Sequence, residues 1–126
     1  MTNFSRPPTD EEIISVFTDY AARRAEANVA VAKAVAKVAF DDGRVTVVID
    51  PAKAGAEHWT LVETASYENF ADFLGKPAGS DDKVGIWLRG RVSRMEVQDI
   101  DGRPLGARST AELNDFATGR AQLTDD

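Results

Sequence analysis

The chain has 126 residues, 43% of them hydrophobic, and a formal net charge of −6, a length that supports one core and is short for two ordinary domains. It contains no cysteine, which excludes a disulfide scaffold, a thiolate metal site and a cysteine nucleophile. No charge-free run reaches the roughly 18 residues of a membrane span, and the N-terminus MTNFSRPPTDEE has no apolar signal core. The expected compartment is therefore the cytoplasm, and an arginine content twice that of lysine suggests a GC-rich bacterial genome.

Residues 1–8 are expected as a flexible tail, stiffened at Pro7 and Pro8, followed by a single α+β domain over 9–123 and a frayed end over 124–126. Thr9-Asp10-Glu11-Glu12 is a capping box, in which the Thr9 hydroxyl can accept the Glu12 amide while the Glu12 carboxylate reaches back. From there Ile13, Phe17, Tyr20, Arg24, Ala27, Val31, Ala34 and Val38 follow alternating steps of four and three. That spacing predicts one continuous helix to about Ala39, a seam of about 45 Å. Such a helix is longer than its own core needs, so part of it is expected to serve an interface. Arg24 interrupts the seam and Val31 sits in its charge-poor second half, and both are candidate partner-binding residues.

Asp41-Asp42-Gly43 reads as a turn, and Arg44 to Asp50 alternates as a strand with Val45, Val47 and Ile49 on one face. The loop PAKAGAEH then leads to a second expected strand, Trp59 to Ala65, pairing antiparallel with the first. A short helix is expected over Tyr67 to Leu74, ended by Gly75 and Pro77, and a mobile loop over Lys76 to Asp82. Val84 to Ile100 reads as two strands or one bent strand: Ile86, Leu88 and Val92 are apolar at even positions, Met95 and Val97 at odd ones, so the face must switch near Gly90 to Arg94. Asp101-Gly102 makes a turn, and Ser109-Thr110-Ala111-Glu112 is a second capping box opening a terminal helix. The predicted architecture is α+β: a long N-terminal and a C-terminal helix on an antiparallel sheet of about four or five strands, with a short helix between strand pairs.

No catalytic, metal or nucleotide motif is present, so no catalytic residue, metal ligand or cofactor is assigned. His58 is the only histidine, and as a general base it would need a carboxylate partner and a pocket, for which Trp59, Phe70 and Phe73 are the candidate lining. On a strand, Trp87, Arg89 and Arg91 would share one face opposite Ile86 and Leu88, as an exposed surface for a partner carrying carboxylates or phosphates. They belong to a basic island, Lys83 to Arg108, with six basic residues against three acids in an otherwise acidic chain. Net acidity disfavours nucleic acid. These features favour a non-enzymatic protein-interaction module that dimerises or docks a protein partner through the first helix and the Trp87 face, as immunity-type or chaperone-type proteins do by analogy. The alternatives are a small-molecule-binding protein or modest enzyme with a pocket between the sheet and the first helix, and an oligonucleotide binder on the Trp87, Arg89 and Arg91 face.

Overall fold

A computed structural model describes residues 4–27, 30–54 and 71–119. Both capping boxes form. In the first, Thr9 Oγ1 accepts the Glu12 amide at 3.1 Å and the Glu12 carboxylate accepts the Thr9 amide at 2.9 Å. They open α1, Asp10–Glu26, which buries Ile13, Phe17, Tyr20 and Ala21 along one stripe. The second opens α6, Thr110–Ala117, on Ser109 and Glu112.

Between these helices lies a four-stranded sheet in the order β1-β2-β3-β4: β1 is Val35–Asp41, β2 Arg44–Ile49, β3 Arg94–Asp99 and β4 Pro104–Ser109. The β2 alternation is as the sequence predicts, with Val45, Val47 and Ile49 buried. They meet Met95 and Val97 of β3 and, above the sheet, Ile13, Phe17, Leu74, Leu88, Val92 and Leu113 in one core. Each large apolar side chain buried there stabilises the fold by about 1.5–3 kcal/mol relative to leaving it in water.

Four sequence expectations need correction. The first helix does not continue to Ala39: α1 ends at Glu26, a single turn, α2, covers Ala30–Lys33, and β1 begins at Val35. Asp42 and Gly43 both take positive φ, 48° and 80°, the backbone that a two-residue hairpin loop requires, and Asp41 pairs with Arg44 across it. That hairpin recruits Val35 to Asp41 into a ladder and overrides their helical spacing.

The sheet is mixed rather than antiparallel. β1 with β2 and β3 with β4 are antiparallel, but the central β2 and β3 run parallel, from Arg44 opposite Arg94 to Ile49 opposite Asp99. Parallel neighbours need a long crossover. Its described parts are a 3-10 turn at Pro51–Ala54 and three short helices: α3 Ala71–Leu74, α4 Lys76–Gly79 and α5 Lys83–Arg89. The expected strand at Trp59 to Ala65 and the start of the short helix, Tyr67 to Phe70, lie outside the described residues. Lys76 to Asp82, expected as a loop, contains α4, whose Ala78 and Gly79 are buried.

The fourth correction concerns Trp87. Residues 83–89 form α5 and not a strand, because the Asp82 carboxylate caps them by accepting the Gly85 amide at 2.8 Å. The phase change near Gly90 to Arg94 marks the junction between α5 and β3. Trp87 and Leu88 are buried and Ile86 is 58% exposed, the reverse of the predicted strand faces for Trp87 and Ile86. A strand over this segment would bury Ile86 and Leu88 alike, whereas the helix buries Leu88 alone. Replacing Ile86 with Ser should therefore change stability by no more than about 0.5 kcal/mol, while Leu88→Ala should cost about 2–5 kcal/mol. Denaturant unfolding of both variants checks this; equal, large losses would point to the strand.

Candidate functional site

An open cleft of about 600 Å³ lies between the second half of α1 and the segment from α4 to the start of α5. α1 supplies Val16, Tyr20, Arg23 and Arg24; the facing wall supplies Lys76, Pro77, Ser80, Asp82 and Val84. Arg23 and Arg24 fall in the last turn of α1, where cations complement the partial negative charge of the helix end. Both are exposed, and among the described residues neither pairs with a carboxylate. Arg24 lies over the Tyr20 ring, its guanidinium carbon 5.3 Å from the ring centre, a cation–π contact that holds the head at the rim. Burial pushes the Tyr20 phenol above its ordinary pKa, with Arg24 and Arg23 pulling the other way. The phenol is therefore neutral at physiological pH.

The single acid among the described residues of the cleft, Asp82, is committed to local structure. Its Oδ1 accepts the Gly85 amide and the Ser80 hydroxyl, each at 2.8 Å, and these bonds, the Gly85 amide first, hold its carboxyl below the usual range. The charge is spent on the first turn of α5. Three cations, an aromatic ring and the apolar Val16, Pro77 and Val84 then define a surface suited to carboxylate- or phosphate-bearing groups.

Of the residues singled out from the sequence, Arg24 alone among the described ones lines this cleft. Trp87, Arg89 and Arg91 do not share an exposed face. The Trp87 indole donates to the Arg6 carbonyl at 2.6 Å and meets Phe4 edge-on at 5.2 Å. Arg89 donates to the Ala78 and Ser80 carbonyls at 2.9 and 2.8 Å and lies 3.7 Å from Asp81. Arg91 donates to the Pro8 carbonyl and to Asp10, and stacks over Phe40. The three thus tie α4 to α5, and the N-terminal residues to α5 and the residues just after it. Val31 lies in α2 and Phe73 in α3, with side chains outside the described residues, as are His58, Trp59 and Phe70 altogether. Among the described residues no cluster of His, Cys, Asp or Glu is placed to hold a metal ion, and no helix is long and apolar enough to cross a membrane.

Arg23, Lys76, Ser80 and Asp82 escaped the sequence reading. The signal for Arg23 was its place beside Arg24 at a helix end, visible only once α1 stops at Glu26. The signal for Asp82 was its position three residues before Gly85, at the head of an apolar Val84, Trp87, Leu88 stripe spaced for a helix. No family model, curated protein or solved structure matches this chain.

The N-terminal anchor beside the cleft is charge-dependent. Arg6 grips Glu12 through two bonds of 2.6 and 2.9 Å, and with the Thr9 amide this lowers the Glu12 pKa from 4.5 to about 2. The folded value lies below the ordinary one, so the contact stabilises the fold above pH 4.5 and is lost as pH falls towards about 2. A side-chain carbonyl NMR titration should place the Glu12 midpoint at about 2, and Arg6→Ala should move it upward. A wild-type midpoint near 4.5 would show that the grip does not form.

Proposed function

We propose that the chain is a non-enzymatic protein-interaction module whose cleft between α1 and α4–α5 accepts an acidic segment of a protein partner. The observation that carries this reading is the gathering of Arg23, Arg24 and Lys76 around one cleft in a chain of net charge −6. Arginines at the end of α1 that no acid of the described residues neutralises are placed to meet carboxylates bidentately. Val16, Pro77 and Val84 supply the apolar floor that makes such contacts worth more than in open water. Ser80 and Asp82, the polar groups that reaction chemistry would recruit, are occupied in capping α5. The cysteine-free, arginine-rich composition is consistent with a cytoplasmic bacterial setting.

The test is calorimetric titration of the full chain with a short capped Glu-rich peptide. Arg23→Ala combined with Arg24→Ala should weaken binding at least about tenfold, or about 1.4 kcal/mol, with little change in melting temperature because both side chains are exposed. Undiminished binding in the double variant would move the interaction surface elsewhere. So would preference for a Lys-rich peptide.

A further inference from the structure

We propose that the groove between the start of α1 and Trp87 of α5 docks a segment of a partner protein with an aromatic residue two positions ahead of an Arg-Pro pair, and that residues 4–7 fill it in cis as a strap. The strap shows what the groove accepts. Trp87, only 8% exposed, donates its indole N–H to the Arg6 carbonyl at 2.6 Å; a buried indole needs such an acceptor, and the main chain of any docked peptide supplies one. The Phe4 ring packs edge-on against the same indole at 5.2 Å. Arg6 then grips the Glu12 carboxylate through both terminal nitrogens, at 2.6 and 2.9 Å, a fork that lysine cannot reproduce. Pro7 restricts the Arg6 backbone and so helps to set where its carbonyl points. The groove lies at the other end of α1 from the acid-accepting cleft and takes the opposite charge.

The strap is the detachable part of this end of the chain. Phe4 is 41% exposed and the Arg6 side chain 43%, whereas Pro8 is fully buried and Thr9 caps α1. Beside the strap an open depression of about 300 Å³ has Glu11, Glu12 and Asp19 on α1 and Trp87 across from them, and Glu11 is exposed with no ion pair among the described residues. That gives a longer basic segment both room and complementary charge. A second copy cannot lend its strap without unseating its own fold, because only Pro7 stands between Arg6 and the buried Pro8, and one residue reaches roughly 3.6 Å. The occupant is therefore a different protein. Being tethered, the strap competes at an effective concentration in the mM range, on the order expected for a short link, so it masks the groove until it is displaced.

Calorimetric titration of the full chain with a capped Phe-Ser-Arg-Pro peptide tests this, read alongside the Trp87 indole resonance by NMR. Phe4→Ala with Arg6→Ala frees the groove and leaves Pro8 and the Thr9 cap in place. This variant should bind the peptide at least about tenfold more tightly than the wild type does, with a shift of the Trp87 indole. Adding Glu12→Gln, which keeps a capping side chain but removes the charge, should cancel the gain. A peptide with Ala in place of both Phe and Arg should not bind. Equal binding by the wild type and the released variant, or indifference to the Phe and Arg of the peptide, overturns the proposal. If circular dichroism shows that the released variant loses helix, the wild type decides: excess peptide must shift the Trp87 indole and the Arg6 amide together, and failure to do so overturns it equally. A wild-type dimer in sedimentation that dissociates in Phe4→Ala with Arg6→Ala would put a second copy's strap in the groove and overturn the separate partner.

Discussion

The parallel pairing of β2 with β3 governs the rest of the molecule. Two strands that run the same way cannot be joined by a hairpin, so the chain must leave β2 at one end of the sheet and return to β3 at the other. The return path places α3, α4 and α5 over the sheet and carries Lys76, Ser80, Asp82 and Val84 to the flank of α1. The cleft exists because of that crossover. Its far wall is fixed at several points: a Cβ at Gly79 would lie 2.7 Å from the Leu113 backbone, the Asn114 amide donates to the Gly79 carbonyl at 3.0 Å, and Arg89 binds the Ala78 and Ser80 carbonyls. Gly85 lets α5 start against Ser80, whose carbonyl oxygen would collide with any Cβ at that position.

The near wall is held from the other side of the crossover. Arg91, just after α5, bonds the Pro8 carbonyl and Asp10, while Trp87 bonds the Arg6 carbonyl, so the start of α1 is tied to the end of α5. Pro8 is among the most completely buried side chains. Exposed ion pairs such as Arg6 with Glu12 add little each. The bonds from Trp87 and Arg91 to backbone carbonyls, made beside buried apolar groups, fix the direction of α1 and thereby the spacing across the cleft. The sequence marked these aromatic and guanidinium groups as notable; the fold spends them on holding its own parts together.

Features set by local chemistry were legible in the sequence. Thr9 with Glu12 and Ser109 with Glu112 cap the helices they announce, and the β2 alternation survives unchanged, because each depends on residues within a few positions of one another. The segments that misled depend on distant partners. Val31, Ala34 and Val38 fit a helix by spacing, yet Val35 to Asp41 is drawn into a hairpin by two positive-φ residues at Asp42 and Gly43. Ile86, Leu88 and Val92 fit a strand, while Val84, Trp87 and Leu88 fit a helix equally well, and the Asp82 cap with the buried face towards the core decides between them. In the sequence Arg24 stands out as a break in an apolar seam. That it stands with Arg23 and Lys76 was beyond reach, since the crossover joins residues about 50 positions apart in sequence.

The central claim is that acidic partners meet this chain along α1 and α4–α5 and not on the basic strands that follow. Mapping backbone amide shifts by NMR during titration with a Glu-rich peptide tests it most directly, because the two basic surfaces lie on separate elements. The account predicts the largest shifts at residues 20–24 and 76–84, fading as salt is raised. Shifts centred instead on Arg94 in β3, Arg108 in β4 and Arg103 in the turn between them would contradict it.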